Sequence, residues 1–159
     1  MIIREIKDQD NNKIAEIIRK VFVEMKAPKI GTAFSDPELD QLSIAFNGVN
    51  SKYFILENNG RVLGGAGINP LKGHEERVCE LQKMYFKKNA RGKGWGGRMI
   101  DICLNYAINN NYSICYIETM KFMKAAQNLY IKKGFTFINS PMGNTGHSNC
   151  DVWMIKKLK

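Results

Sequence analysis

A glycine-rich stretch at residues 87–100, KKNARGKGWGGRMI, has the residue types and spacing of a binding site for an anionic group. Four of the six residues 92–97 are glycine, and five basic side chains accompany them. The first turn of a helix leaves its backbone N–H groups without partners, and glycine lets a phosphate approach them because it has no Cβ atom. A turn that only joins a strand to a helix is the alternative, although each glycine there costs about 1 kcal/mol relative to alanine. The stretch therefore predicts a phosphate-binding loop.

Two ligand motifs overlap in this loop. Residues 92–97, GKGWGG, match the G-x-G-x-x-G of dinucleotide-binding proteins, with Glu118 at a distance that suits a ribose-binding acid. Residues 91–96, RGKGWG, match R/Q-x-x-G-x-G/A and resemble the coenzyme A pyrophosphate loop of the GCN5-related N-acetyltransferase (GNAT) family. A dinucleotide fold places its first glycine directly after a fully buried parallel strand, whereas residues 87–91 intervene here and the preceding strand carries polar residues. The context favours the acetyltransferase motif.

A second motif supports the same resemblance. Residues 129–135, LYIKKGF, resemble the L-Y-x-x-x-G-F run that ends the last helix of GNAT proteins. The two motifs stand in the family's order and on the expected elements, so together they are more specific than either alone. One position differs, because Met123 stands where many members carry an asparagine seven residues before the tyrosine.

The resemblance implies acetyl-CoA as co-substrate and no metal. It implies that the strand before the loop diverges from its neighbour, so that free backbone groups there bind the pantetheine arm and stabilise an oxyanion. The implied strand residues are Met84, Tyr85 and Phe86. The implied pyrophosphate-binding residues are Arg91, Gly92, Lys93, Gly94, Trp95, Gly96 and Gly97, and Asn128 is implied as a further cofactor contact.

Two polar residues on the strand before the loop are candidates for substrate chemistry. Because side chains alternate along a strand, Glu80 and Gln82 are predicted to share one face, opposite Leu81 and Lys83. A carboxylate at Glu80 can take a proton from an incoming ammonium group, and it lies where many family members keep a glutamate base. An ion pair with a surface lysine is the alternative for Glu80. Gln82 is predicted to bind the substrate or a water molecule.

Tyr130 and His147 are the remaining candidates for acid–base chemistry. The resemblance places the phenol of Tyr130 near the thiol sulfur, where it can protonate the departing thiolate; packing of the ring on the core is the alternative. His147 lies in a loop at residues 140–149 and is a second candidate base or a substrate ligand, with an exposed loop histidine as the alternative. The acceptor pocket is predicted between residues 26–37, the strand of Glu80 and this loop, with Phe34 as an apolar wall.

The composition sets the limits of these interpretations. With 159 residues, 44% of them hydrophobic and 25% charged, the chain is expected to form one domain over residues 1–159. The net charge of +9 suits an anionic ligand, but no basic run interleaved with aromatic residues predicts nucleic-acid binding. The four cysteines form no C-x-x-C pair and show no histidines at metal-ligand spacing, which predicts a reduced, cytoplasmic protein without a metal. No apolar run approaches the roughly 18 residues of a membrane span.

The periodicity of the chain predicts the elements that position these residues. Strands are expected at residues 2–7, 52–57, 61–69, 78–86, 113–118, 135–138 and 150–156, and helices around residues 14–22, 37–46, 94–109 and 122–132. This order resembles the GNAT family from end to end. It implies an α/β (α+β) domain with a mixed, mostly antiparallel twisted sheet of about seven strands and four helices.

The predicted function follows from the resemblance and the candidate residues. We expect an acetyl-CoA-dependent N-acetyltransferase that acts on a primary amine of a small-molecule or amino-acid-like acceptor, by direct attack in a ternary complex. The alternatives are a protein lysine or N-terminal acetyltransferase and a CoA-binding sensor without catalysis. Neither a nucleic acid nor a membrane is an expected partner, and a homodimer remains open.

Overall fold

The described residues, 1–74 and 77–158 of a computed structural model, contain one seven-stranded sheet and four α-helices. The strands are β1 (Ile2–Glu5), β2 (Lys52–Asn58), β3 (Arg61–Pro70), β4 (Val78–Phe86), β5 (Ile114–Thr119), β6 (Thr136–Ile138) and β7 (Val152–Lys157). The helices are α1 (Asn11–Glu24), α2 (Leu42–Ala45), α3 (Trp95–Asn109) and α4 (Lys124–Lys132). The sheet order is β1-β2-β3-β4-β5-β7-β6. The predicted fold class is confirmed.

In the middle of the sheet, β4 and β5 pair in parallel over a short region, whereas the other neighbouring strands pair antiparallel. The β4–β5 ladder joins Val78, Cys79 and Glu80 to residues 114–116 and then ends. Beyond Glu80, β4 continues to Phe86 with only β3 as its strand partner. The predicted divergence of the two strands is therefore present, and it opens the sheet directly before the glycine-rich loop.

A β-bulge interrupts β4 at Lys83. Gly67 of β3 pairs with Gln82, but Gly65 pairs with Tyr85, so two residues of β4 oppose one of β3. Lys83 has a positive φ of 52°, and its carbonyl accepts a hydrogen bond from the buried Tyr53 hydroxyl at 2.8 Å. The bulge turns the Lys83 side chain into the cavity that also holds Glu80. The prediction that Lys83 lies opposite Glu80 is therefore wrong, because strict alternation stops at a bulge.

Helices cover both faces of the sheet. The apolar positions of α1, Ile14, Ile18 and Phe22 among them, are fully buried in a cluster on one face, and those of α3 are buried in a second cluster. In both helices the buried apolar residues recur at intervals of three and four, as the sequence pattern predicts. Among the described residues, no helix is long and apolar enough to cross a membrane.

The glycines of β3 accommodate aromatic rings of the protein itself. A Cβ atom at Gly65 would lie 2.5 Å from Cε1 of Tyr53, and one at Gly67 would lie 2.5 Å from Cε1 of Phe46. Glycine is therefore required at these two positions by aromatic side chains of the protein itself.

The segment between α1 and β2 departs from its predicted form. A 3₁₀ turn at Pro37–Gln41 precedes the short α2, so the predicted helix at residues 37–46 is mostly not α-helical. Gln41 has φ −139° and ψ 45°, which breaks the helical geometry between the two pieces. The sequence also predicts a turn at residues 70–76, and residues 75 and 76 of this segment lie outside the described residues.

Candidate active site

The glycines of the loop before α3 have two different structural roles. Gly92 and Gly94 adopt left-handed conformations with φ of 70° and 81°, and a Cβ atom at either would meet no atom within 4 Å. At Gly96, in contrast, a Cβ atom would lie 2.9 Å from Cδ2 of Leu129 on α4. The first two glycines therefore form the turn and keep it open, and the later one allows α3 and α4 to pack closely.

The same loop presents a row of backbone donors. The first N–H group of α3 with a helical partner is that of Arg98, which donates to the carbonyl of Gly94 at 3.2 Å. In the described part of the chain, none of the backbone N–H groups of residues 92–97 donates to another backbone group. These donors lie at the positive end of the α3 dipole, with the Arg98 guanidinium 4.8 Å from the Trp95 ring centroid. The arrangement matches a site for a phosphate or pyrophosphate.

The open side of β4 leads from this loop to a cavity of about 600 Å³. Met84, Tyr85 and Phe86 lie on the part of β4 that β5 does not pair, so their backbone faces the gap between the strands. The cavity is lined by three parts of the chain: residues 31–38, the strands β3 and β4 with Lys72 between them, and the loop at residues 145–147. Its polar lining residues are Thr32, Ser35, Asp36, Glu38, Asn69, Lys72, Glu80, Gln82, Lys83, Thr145 and His147.

Glu80 is the most deeply buried carboxylate of the cavity, with 3% of its surface exposed. Gln82 donates its Nε2–H to Oε2 of Glu80 at 2.5 Å. Burial raises the pKa of Glu80 to about 7, with a further increase from the Glu118 carboxylate; the Gln82 hydrogen bond and the positive charges of His147 and Lys83 act against it. Glu80 is therefore balanced between its acid and base forms near neutral pH, which suits a general base.

His147 contacts two carboxylates. Its Nε2 lies 2.9 Å from Oδ1 of Asp36, and its Nδ1 lies 3.5 Å from Oε2 of Glu118. Burial lowers the pKa of His147, but the two carboxylates outweigh this effect and raise it to about 9. An imidazolium has no free nitrogen lone pair at neutral pH, so His147 is better suited to hold these groups in place than to act as a base.

Asp36 connects the two loops around the cavity to β4. Its Oδ2 accepts a hydrogen bond from the Nζ of Lys83 at 2.7 Å, and Lys83 also lies 3.3 Å from Glu38. Only 2% of the Lys83 side chain is exposed. Burial opposes ionisation of Asp36, but His147 and Lys83 hold its pKa below the usual value. Asp36 therefore joins three segments that are distant in the sequence.

Tyr130 lies on α4, with its ring 6.0 Å from that of Phe135 and 7% of its surface exposed. Its hydroxyl makes no hydrogen bond with any described residue, and no fully buried side-chain polar atom of the described residues lacks a partner. The Oη atom must therefore reach solvent. Burial raises the pKa of Tyr130 to about 12, so the phenol keeps its proton at neutral pH. The ring packs on the core while the hydroxyl stays available as a donor.

Comparison with known proteins identifies the family. The model of the acetyltransferase (GNAT) family matches residues 13–135. The chain belongs to the GNAT acetyltransferase family. The uncharacterized N-acetyltransferase YjgM of Escherichia coli (strain K12) is 40% identical over 159 residues, which cover 99% of this chain and 95% of that protein.

Solved GNAT structures share the fold over the whole length. A GNAT acetyltransferase from Staphylococcus aureus Mu50 has a TM-score of 0.88 at 19% identity, over 99% of both chains. The yncA protein of Salmonella typhimurium, solved with its cofactor acetyl-CoA, has a TM-score of 0.79 at 19% identity, over 100% of this chain and 94% of that one. These likenesses extend the family assignment to the three-dimensional fold.

In this GNAT chain, Arg91 supports the loop from outside. Its Nε donates to the Phe86 carbonyl at 2.8 Å, its Nη1 lies 2.7 Å from Oε1 of Glu24, and its backbone N–H donates to Lys88. Its Nη2 also donates to Oε2 of Glu24 at 3.2 Å, so each nitrogen of Arg91 has a protein partner and the side chain fastens the loop to β4 and α1. Asn128 is exposed on α4, and Lys93 is exposed in the loop.

Phe34 lies away from the cavity that holds Glu80. Its ring packs at 5.9 Å from that of Phe22 on α1, and the Nζ of Lys29 lies 5.2 Å from its centroid. It lines a separate groove beside α1 and not the cavity that holds Glu80, so the role of Phe34 as an apolar wall for the acceptor stays a prediction that this cavity does not support. A short 3₁₀ turn at Ala33–Ser35 directs the ring toward α1 instead.

Sequence patterns did not indicate that Asp36, Lys83 and Glu118 belong to this site. Asp36 stands before Pro37, which signals a turn, but nothing local indicates its contact with a histidine 111 residues later. Lys83 was assigned to the wrong face. The prediction that no histidine lies at metal-ligand spacing from a cysteine is also wrong, because His147 and Cys150 are three residues apart.

Proposed function

We propose that this GNAT enzyme transfers an acetyl group from acetyl-CoA to a primary amine of a small, amino-acid-like acceptor, by direct attack in a ternary complex. The observation that carries the proposal is the position of Glu80. This buried carboxylate lies in the cavity at the point where β4 and β5 diverge, between the acceptor space and the open edge of β4. The N-acetyltransferase YjgM and the acetyl-CoA complex of yncA support the choice of reaction and co-substrate.

The residues present fit acetyl-CoA. The N–H groups of residues 92–97 suit its pyrophosphate, and the unpaired edge of β4 at Met84, Tyr85 and Phe86 suits the amides of its pantetheine arm. When bound, acetyl-CoA supplies an acetyl group that is activated as a thioester. A negatively charged residue in the loop would repel the pyrophosphate, and the loop has none.

The enzyme's own residues handle the protons. Glu80, as a carboxylate, takes a proton from the acceptor ammonium, directly or through a water molecule, and so provides the neutral amine. Gln82 holds Oε2 of Glu80 and lines the cavity, where it can orient the acceptor or that water. Tyr130 holds a proton on Oη that a departing thiolate requires.

The cavity favours a small acceptor over an extended peptide. Besides the Asp36–His147 contact, Asn149 bridges the two loops by donating its Nδ2–H to the carbonyl of Ile30 at 2.7 Å. Such bridges close one side of the space, whereas a peptide needs an open groove. Glu38 and Glu80 attract an ammonium group, and Lys72 offers a positive charge to a carboxylate of the same molecule.

The pH dependence of kcat/KM is expected to follow Glu80. Because only the carboxylate form accepts a proton, kcat/KM should rise as the pH passes through about 7 and then level off. The measurement is thiol release from acetyl-CoA at low acceptor concentration, from about pH 5.5 to 8.5. A profile without an acidic limb would contradict the role of Glu80.

A panel of acceptors tests the proposed function itself. Thiol release from acetyl-CoA is measured with amino acids, other small amines and lysine-containing peptides at equal concentrations. We expect turnover with small amines that also carry a carboxylate, and little with peptides. Faster turnover with peptides would support the protein acetyltransferase instead, and binding of CoA without turnover on any acceptor would support the sensor.

A further inference from the structure

Three potential metal ligands, one from β5 and two from the loop between β6 and β7, converge beside the acceptor cavity. A carboxylate oxygen of Glu118, a ring nitrogen of His147 and the Sγ of Cys150 all lie within 4.8 Å of one another. The Nδ1 of His147 and the Oε2 of Glu118 are 3.5 Å apart. We propose that Glu118, His147 and Cys150 bind a divalent transition-metal ion of the Zn²⁺ class. The proposal does not rest on the acetyl transfer proposed above, although the cluster adjoins the same cavity.

The backbone around these residues is built to bring them together. The N–H of Cys150 donates to the carbonyl of His147 at 3.1 Å, which closes a tight turn and places both side chains on one side of the loop. The N–H of Asp151 then donates to the carbonyl of Thr119 at 3.2 Å. That bond attaches the end of the loop to β5 next to Glu118. The cluster therefore does not depend on chance contacts between exposed side chains.

The groups around the cluster are those that usually surround a metal site. A ligating histidine commonly donates its second ring N–H to a carboxylate, and Asp36 lies 2.9 Å from Nε2 of His147, which leaves Nδ1 to face the cluster. Glu118 accepts hydrogen bonds at 2.8 Å from the hydroxyls of Tyr116 and Thr145. These partners fix the orientation of two of the three ligands before any metal arrives.

The donor set indicates which ion fits. Thiolate, imidazole and carboxylate together suit Zn²⁺ or Co²⁺, whereas Mg²⁺ and Ca²⁺ prefer oxygen donors alone. In a tetrahedral zinc site, bonds of about 2.0–2.3 Å place the ligand atoms roughly 3.3–3.7 Å apart. The cluster needs only a modest contraction to reach this size. Binding displaces the protons of Sγ and Nδ1 to solvent, and the ion offsets the charge of the thiolate and of Glu118.

The consequence of the site is structural and local. Three protein ligands leave one position of the tetrahedron open, as in zinc sites that bind water or a small ligand. Because His147 also lines the acceptor cavity, a bound ion would fasten the loop at residues 145–151 to β5 at the wall of that cavity.

Titration with Co²⁺ tests the site directly. The reduced, metal-free protein is titrated with Co²⁺, and absorption is followed for the thiolate-to-cobalt band in the near ultraviolet and the visible bands of a tetrahedral ion. We expect one Co²⁺ per chain, displaced by Zn²⁺. Cys150→Ser should abolish the thiolate band, and His147→Gln should weaken binding by at least about 10-fold. Circular dichroism verifies that both variants are folded.

The other histidine of the chain, His74, provides the matched control. His74→Gln removes the same side-chain type from a turn outside the cluster and should leave the titration unchanged. Absence of a thiolate band in the unaltered protein would overturn the proposal. So would a band that persists in Cys150→Ser, or equal weakening by His74→Gln and His147→Gln.

Discussion

Glu80→Gln is expected to lower kcat/KM for acetyl transfer by about 100-fold or more, the range over which a general base contributes. Glutamine keeps the size of the side chain and a hydrogen-bonding partner for Gln82, but it cannot accept a proton from the acceptor ammonium. Affinity for CoA should change little, because the backbone donors of residues 92–97 are unaffected. Thiol-release kinetics and calorimetric titration with CoA measure the two effects separately.

Glu38→Gln is the matched control for this variant. Glu38 lines the same cavity and contacts Lys83, but 44% of its side chain is exposed. Exposed charges of this kind contribute less than about 1 kcal/mol, so kcat/KM should fall by only a few-fold. The acidic limb of the pH profile should persist in Glu38→Gln and disappear in Glu80→Gln. Equal losses in both variants would indicate that the charge of the cavity, rather than a base at Glu80, controls the rate.

Gly94→Asp is expected to weaken CoA binding by about 100-fold or more. A carboxylate at this position would lie among the backbone donors proposed for the pyrophosphate. Two like charges about 4 Å apart repel by roughly 4 kcal/mol at an effective dielectric constant of 20, equivalent to nearly 1000-fold in affinity. The neighbouring Lys93 and Arg98 offset part of this repulsion. Calorimetric titration with CoA measures the loss directly.

Gly94→Asn separates the charge from the backbone effect. Gly94 has φ 81° and ψ −7°, a left-handed conformation that asparagine and aspartate tolerate better than most residues. A Cβ atom there meets no atom within 4 Å, so neither substitution clashes with the protein. Asparagine should therefore retain most of the CoA affinity that aspartate loses. If both variants lost affinity equally, CoA binding would depend on the glycine backbone conformation at residue 94 rather than on the absence of a negative charge there.

Features that depend on a few neighbouring residues could be predicted from the sequence. The glycine-rich loop at residues 92–97 and the run at residues 129–135 both indicate their structure locally, since left-handed turns and helix ends are set by adjacent dihedral angles and hydrogen bonds. The spacing of the apolar residues in α1 and α3 similarly indicates which faces of these helices are buried. Together with the order of the elements, these signals were sufficient for the fold class and the family, and they identified Glu80 as a candidate base.

The remaining features of the site were decided only by tertiary structure. A single-residue bulge, set by the pairing of β4 with β3, rotated Lys83 into the cavity, and periodicity contains no sign of it. Asp36 meets His147, and Glu118 approaches Cys150, because β5, β7 and the loops between distant elements pack together. Phe34 turned toward α1 for the same reason. Such contacts depend on register and on long-range packing. The sequence therefore determined the glycine-rich loop and the fold, whereas tertiary structure decided the cavity around Glu80 and its charges.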